Sequence, residues 1–460
     1  MSPSPSLLAP VVLAAGQGTR MRSRVPKVLH SLAGRPMLAH VLETAESLGS
    51  ETVHVVYGFG GERVAQALAG PSRRWHLQRE QLGTGHAVAQ ALPAIEDAAL
   101  VLVLYGDVPL LRRETLAELV AAWPEGGIAL LTARLEDPTG YGRILRGADG
   151  SVERIVEERD ATESDRAVDE VNTGILVARA AELRGWVAAL RPDNAQSEYY
   201  LTDCIALARA AGRPVTAVPA RDPEEVMGIN DRVQLARCER VLQGRMARDL
   251  MQAGVTLRDP ARLDVRGRVQ AGCDVEIDVG VVLEGEVRLG DRVRIGPGCV
   301  LRDVTVEEDA EILPYSVVEQ ARIGPGCRVG PFARIRPGTD LAGTVHVGNF
   351  VEIKNSRIGR GSKVNHLSYV GDTEMGAGVN VGAGTITCNY DGAQKHRTRV
   401  GDDAFIGSNT ALVAPVEVGR GATIGAGSVV TRDAPAGTLT LARARQTTVP
   451  GWQRPRKPRS

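Results

Sequence analysis

The pattern of apolar and polar positions changes character twice along the chain. Residues 1–231 alternate apolar runs with helical patterns. "PVVLAA" (10–15), "TVHVVYG" (52–58) and "ALVLVLYGD" (99–107) are rich in strand formers, and the last two end at Gly or Asp. Amphipathic stretches such as "GERVAQALA" lie between them. That order predicts an α/β domain with a largely parallel sheet. Residues 232–253 carry apolar side chains at Leu235, Cys238, Leu242, Met246 and Leu250, which is helical spacing and predicts a linker helix.

Over 254–460 the period becomes six. Val306, Ile312, Val318, Ile323, Val329, Ile335, Leu341, Val347, Ile353, Ile358, Val364, Val370, Met375 and Val381 recur in steps of six or five. Val400, Ile406, Leu412, Val418, Ile424 and Val430 continue the series. Gly often follows the aliphatic, as in Ile295-Gly296 and Ile406-Gly407. This is a hexapeptide repeat and predicts a parallel β-helix in which three hexads close one coil and each aliphatic points inward. The register breaks once, between Thr387 and Val400, where "TCNYDGAQKHRT" holds an extra residue. An interruption of a strict repeat predicts a loop, and loops carry function.

Composition adds limits. The 460 residues are too many for one ordinary domain. Lys+Arg and Asp+Glu balance at 55 each, so no global charge draws the chain to nucleic acid or membrane. Aromatics are only 3%, in keeping with the narrow interior of a β-helix. The N-terminus lacks the basic start and cleavage site of a signal peptide, and no apolar run approaches a membrane span. The six Cys show no CxxC pairing and read as reduced thiols of a cytoplasmic protein, with Cys299 and Cys327 assigned to packing. The basic, Pro-rich tail "GWQRPRKPRS" reads as a solvated end.

The N-terminal segment holds candidate chemistry at its strand ends. In "LAAGQGTRM" (13–21), Gly16 and Gly18 allow the backbone to approach a phosphate, and Arg20 and Lys27 supply positive charge. The stretch fits neither the GxGxxG nor the Walker A spacing. Asp107 follows an apolar strand in "YGDVPLL", where open α/β sheets bind ligands and a carboxylate suits Mg2+ beside phosphates. "QLGTGHA" (81–87) offers further Gly and a Thr hydroxyl.

These motifs, with "TGYGRI", "IVEERDA", "NTGI" and "GIND", resemble the sugar-nucleotide pyrophosphorylase family. Joined to a hexapeptide β-helix with "KVNHLSYVGD" and "GAGTITCNYDG", the chain is similar to the bifunctional uridylyltransferases and acetyltransferases of bacterial UDP-N-acetylglucosamine synthesis, from about residue 9 to 455. The resemblance implies a Rossmann-like nucleotidyltransferase domain joined by a helix to a left-handed parallel β-helix. It implies N-acetylation of glucosamine-1-phosphate by acetyl-CoA, then uridylyl transfer from UTP, supplying peptidoglycan and lipopolysaccharide precursors. Leu13, Ala14, Ala15 and Gly16 would border the nucleotide, and Gln78, Gly83 and Thr84 would hold the uridine. Tyr105, with the neighbouring Gly106, and Gly142, Glu157 and Asn172 would meet the sugar. Arg20 and Lys27 would neutralise the triphosphate, and Asp107 and Asn230 would ligate Mg2+. Gln17 departs from the lysine frequent in the family loop. A homotrimer with the acetyl site between subunits is the family expectation.

On the β-helix, register puts Val364 inward and His366 on the outer face. Arg336 and Lys354 each follow an inward aliphatic, eighteen residues apart, and so stack on adjacent coils. Tyr369 falls near the same edge as His366. A glucosamine amine must lose a proton to attack a thioester, and an imidazole titrates in the right range. By resemblance His366 is the general base. Arg336, Lys354, Tyr369, Asn380 and Lys395 would bind the amino-sugar phosphate. Ala383, Ser408, Ala426 and Arg443 would contact acetyl-CoA, with Asn389 and Tyr390 at the same site. Backbone N–H groups at coil corners would stabilise the oxyanion. The alternatives are a monofunctional pyrophosphorylase with a regulatory β-helix, and a non-catalytic subunit that keeps both folds.

Overall fold

Strand β1 (Leu8–Ala14) is apolar on both sides because both faces of its sheet are covered. Val11 and Leu13 pack on one face with Val101 and Val103, while Val12 and Ala14 pack on the other with Leu102 and Leu104. The computed structural model describes residues 8–460 except 17, 59, 456 and 458–460, so the sequence expectation at Gln17 lies outside the described residues. It divides into two compact units, 1–242 and 243–460.

In the first unit β1 is flanked by two parallel neighbours, β2 (Val53–Gly58) and β4 (Leu100–Tyr105), and β3 (Arg73–Gln78) extends the β2 side. Beyond β4 the order is β8 (Glu170–Arg179), β5 (Ile128–Arg134) and β9 (Val215–Pro219). Strand β8 runs antiparallel to both of its sheet neighbours, so the sheet is parallel around β1 but not throughout. A hairpin of β6 (Arg143–Arg146) and β7 (Val152–Val156) hangs from β8. The strand order turns back beside β1, between β1 and β4. Such a switch point leaves a crevice at the carboxyl ends of the strands, where ligands bind. There the Gly106 N–H donates to the Leu13 carbonyl at 2.9 Å, so the two strand ends that carry the candidate motifs are joined.

The helix Arg232–Gln252 places Leu235, Cys238, Val241 and Leu242 against Leu32, Met37, Leu110 and Ile229 of the first unit. In the second unit its Met246 and Leu250 pack on the β-helix core, and the Gln243 side chain bonds both the N–H and the carbonyl of Val265.

The second unit is a left-handed parallel β-helix. Ile277, Ile295, Ile312, Val329, Val347, Val364, Val381, Ile406 and Ile424 stand opposite one another on successive coils. A second column runs Leu301, Val318, Ile335, Ile353, Val370, and a third runs Val306, Ile323, Leu341, Ile358, Met375, Val400, Val418. All of these are buried. Each fully buried Val, Ile or Leu side chain is worth about 1.5–3 kcal/mol, so the columns alone stabilise the coil stack without any aromatic core. Cys299 and Cys327 are buried at the corners, and among the described residues every cysteine is free. Thr387 keeps the inward position before the register break, its hydroxyl accepting the Gly371 N–H at 2.7 Å. The extra residues then leave the coil as a small loop in which Tyr390 and Lys395 bridge.

Candidate active sites

A cleft of about 490 Å3 opens at the switch point. Leu13, Ala14, Ala15, Gly16, Lys27, Gln78, Gly83, Thr84, Tyr105 and Asp107 line it. Gly18 shapes its rim. Its φ is +64°, and a β-carbon there would stand 2.5 Å from the Lys27 Cβ, so only Gly lets the loop close over Lys27. Gln78 is buried and its amide donates to the Gly83 carbonyl at 3.2 Å, which fixes the turn that Thr84 begins. The Thr84 hydroxyl accepts the Leu201 N–H at 3.0 Å.

Tyr105 connects this cleft to a second group of residues. Gly174 turns beneath its ring, 2.5 Å from Cε2 at the β-carbon position, in the bulge of β8 that the segment "NTGI" forms. Asn172 lies in that bulge, its side-chain oxygen accepting the Gly174 N–H and its own N–H donating to the Gly142 carbonyl. Gly142 in turn sits against the Glu157 carboxyl. Tyr105, Gly142, Glu157 and Asn172 therefore form one wall. Burial, reinforced by Glu157 and Asp107, pushes the Tyr105 phenol far up, so it stays a neutral hydrogen-bond donor. Burial also raises Glu157, against the Thr202 hydroxyl that donates to it at 3.1 Å.

At the cleft mouth the Lys27 ammonium donates to Asp107 Oδ2 at 2.5 Å and to Asn230 Oδ1 at 2.8 Å. Two hard oxygen atoms from distant parts of the chain thus converge on one cation. That donor set suits a divalent metal with phosphate and water as its other ligands. Among the described residues no cluster of three His, Cys, Asp or Glu forms a larger metal cage.

On the β-helix His366 is exposed, two places beyond the buried Val364. Its Nδ1 lies 3.2 Å from the Asn349 side-chain oxygen, directly opposite on the preceding coil. The Asn349 oxygen can accept from Nδ1–H, the tautomer that leaves the Nε2 lone pair facing outward. The carbonyls of His366, Ala383, Ser408 and Ala426 accept in turn from Gly384, Asn409, Gly427 and the Arg443 side chain. These residues therefore climb one corner of the helix, a coil at a time, from the imidazole to the guanidinium.

Around the next corner, Lys354 lies opposite Gly371, and the Tyr369 hydroxyl covers that same glycine. Lys395 stands beside Lys354. The second ammonium, with burial, holds Lys354 below the usual lysine range, opposed by the charge of Asp372. Asp372 is buried between the amides of Asn355 and Asn389. Burial would raise its carboxyl, but the two amides and the two lysines more than offset this and lower it. Arg336 lies one coil below Lys354 and pairs with Glu352 at 2.8 Å.

Comparison with known proteins bears on both units. The MobA-like NTP transferase domain matches residues 10–253, the GMPPB C-terminal domain 265–358, and the hexapeptide repeat of succinyl-transferase 397–432. The bifunctional protein GlmU of Alkalilimnicola ehrlichii is 62% identical over 97% of this chain and 96% of its own. That of Ralstonia nicotianae is 58% identical over 97% and 98%. The chain belongs to the GlmU family. It is a bifunctional transferase, a uridylyltransferase joined to an acetyltransferase. Among solved structures, a UDP-glucose pyrophosphorylase complexed with UDP-glucose overlays 52% of this chain and 99% of its own at 15% identity and TM-score 0.44, too slight a likeness to carry function.

Within this GlmU chain some expected residues stand apart. Arg20 is exposed on a short 3-10 turn and does not line the cleft. Asn389 is buried with its amide spent on Asp372, and the Tyr390 hydroxyl donates to Gly392 within the loop, so neither lies on the Ala383–Arg443 corner. Asn380 projects from the His366 face, opposite Lys363 on the coil below. The corner N–H groups of Gly384, Asn409 and Gly427 are bonded between coils, which removes them as oxyanion donors. Sequence reading missed Gln81, whose amide donates to the Ala15 carbonyl at 2.7 Å, and Glu198 in the cleft wall. It also missed Asn349 and Asp372. The coil length would have found Asn349, because it lies 17 residues before His366.

Proposed function

We propose that the first unit joins UTP to N-acetylglucosamine-1-phosphate and that the β-helix acetylates glucosamine-1-phosphate from acetyl-CoA. The observation that carries this reading is the pairing, in one chain, of a nucleotide-sized cleft ending in Lys27, Asp107 and Asn230 with an exposed imidazole at the foot of a small-residue corner. In the cleft, Leu13 to Gly16 with Gln78, Gly83 and Thr84 hold the uridine nucleotide, and the Tyr105–Gly142–Glu157–Asn172 wall holds the sugar. The sugar-phosphate oxygen attacks the α-phosphorus in line and pyrophosphate leaves. Positioning and charge neutralisation supply most of the catalysis, so no protein base is required. Asp107 and Asn230 would hold Mg2+, which when bound would neutralise phosphate charge.

On the β-helix, Lys354, Lys395 and Arg336 hold the phosphate of the amino sugar, with Tyr369 and Asn380 on its sugar. His366 Nε2 takes the amine proton as nitrogen attacks the thioester carbon, and the sulfur of CoA leaves. The Ala383 N–H, nearest along the corner, serves the oxyanion. Ala383, Ser408 and Ala426 give the pantetheine arm a smooth wall up to Arg443. The working form is a homotrimer in the cytoplasm. Its support is an exposed ladder of Tyr315, Phe332 and Phe350, stacked at 5.3 and 5.4 Å, which a second copy would cover. Such assembly also accounts for the Asn389–Tyr390 loop, which on its own chain stands away from the acetyl-CoA corner. A coupled assay from glucosamine-1-phosphate, acetyl-CoA and UTP, omitting each in turn, tests the reading. UDP-N-acetylglucosamine must require all three.

A further inference from the structure

The Lys27 ammonium occupies the point on which Asp107 and Asn230 converge. It is nearly buried, with its side chain 10% exposed, and it is held by both oxygens at 2.5 and 2.8 Å. Its stem is fixed as well, because Gly18 packs directly on the Lys27 Cβ. A divalent cation cannot share that point with an ammonium. The oxygens would have to be released, and like charges would repel. We infer that Lys27 is a built-in counter-cation that keeps the metal ligands closed to free divalent ions until a nucleotide arrives. The triphosphate supplies the alternative partner. Lys27 then moves from Asp107 and Asn230 to a phosphate oxygen, and the metal enters already bound to the nucleotide. The same lysine thus preserves the pair of ligands in the empty site and couples metal entry to substrate entry. This rests on the reading of Asp107 and Asn230 as the ligands.

The test is Mn2+ binding to the full chain, followed by the paramagnetic resonance of free Mn2+, with and without UTP. Wild type without UTP is expected to bind Mn2+ weakly, and addition of UTP to remove more free Mn2+ than the same UTP removes without protein. Lys27→Met keeps the stem but removes the charge. It is expected to bind Mn2+ without UTP about tenfold more tightly than wild type or better, the order of one charged hydrogen bond. Lys27→Met combined with Asp107→Asn is expected to lose that gain. Equal binding by Lys27→Met and wild type in the absence of UTP would overturn the counter-cation role while leaving the ligands in place. Retention of the gain in the double variant would instead place the metal elsewhere and overturn the ligand reading itself.

Discussion

The two sites of this chain are assembled by opposite means. In the cleft at the switch point, Lys27, Asp107 and Asn230 come from three places far apart in sequence and meet beside the end of β4. On the β-helix, Asn349, His366 and Ala383 are successive coils of one corner, and Asn355, Asp372 and Asn389 are successive coils of another. The first arrangement depends on topology, the second on counting. In a repeat scaffold the core is built by the inward aliphatics, so outward residues at the coil spacing are free to specialise. In the α/β unit the same strand that supplies the core must also deliver the residues that line the cleft.

That contrast can be broken most forcefully at His366. His366→Ala should cut acetyl transfer by about 10^2–10^4-fold, the range of a general base, with pyrophosphate release from UTP unchanged in the same preparation. Loss of both activities would show that the β-helix site is not independent of the fold. Asp107→Asn is the converse. It should lower uridylyl transfer by about 10^2–10^3-fold while CoA release persists. Asn349→Ala leaves the imidazole but frees its tautomer. Acetyl kcat should fall by about tenfold with little change in the KM for glucosamine-1-phosphate, a fraction of the base's own contribution.

Smaller effects sharpen the α/β side. Gly18→Ala forces a left-handed φ on a residue with a β-carbon and drives it into Lys27. About 1–2 kcal/mol of stability should be lost, read as a lower melting temperature of the first unit, together with weaker UTP use. The smallest concerns His54 and His76, stacked on β2 and β3 with Nδ1 and Nε2 3.0 Å apart. Burial, then His76 and Arg74, lowers His54 to about 4. A group held neutral in the fold but able to bind a proton when unfolded makes stability rise with pH between those two values. Stability should therefore fall as pH drops from about 6.5 toward 4. His54→Gln should flatten that slope in melting curves, and an unchanged slope would assign it to other groups.

Much of the second unit was legible in the sequence because its period is visible. The aliphatic series gave all three core columns, and the step of eighteen correctly put Arg336 beside Lys354. Even so, Asn349 and Asp372 are not legible, since a polar residue off the inward aliphatic positions, whether half-buried like Asn349 or buried at a corner like Asp372, shows no departure from the repeat. In the first unit the strands carrying "LAAG" and "YGD" were legible from their apolar runs, but the antiparallel sense of β8 was not. An apolar strand buried on both faces looks the same in either direction. The Lys27 bridge was hidden for a different reason. Both its partners were named as ligands, but no spacing in sequence says that an ammonium will stand between them.

The central claim is that the acetyl-transfer and uridylyl-transfer sites proposed above are separable, so that the sugar phosphate made at one can be used at the other on a different molecule. The most direct measurement mixes the His366→Ala and Asp107→Asn proteins and follows UDP-N-acetylglucosamine formed from glucosamine-1-phosphate, acetyl-CoA and UTP. Each protein alone should be nearly inert in the full conversion, and the mixture should restore it to a rate approaching wild type. A mixture as inactive as its components, or one variant able to complete the conversion alone, would contradict the account.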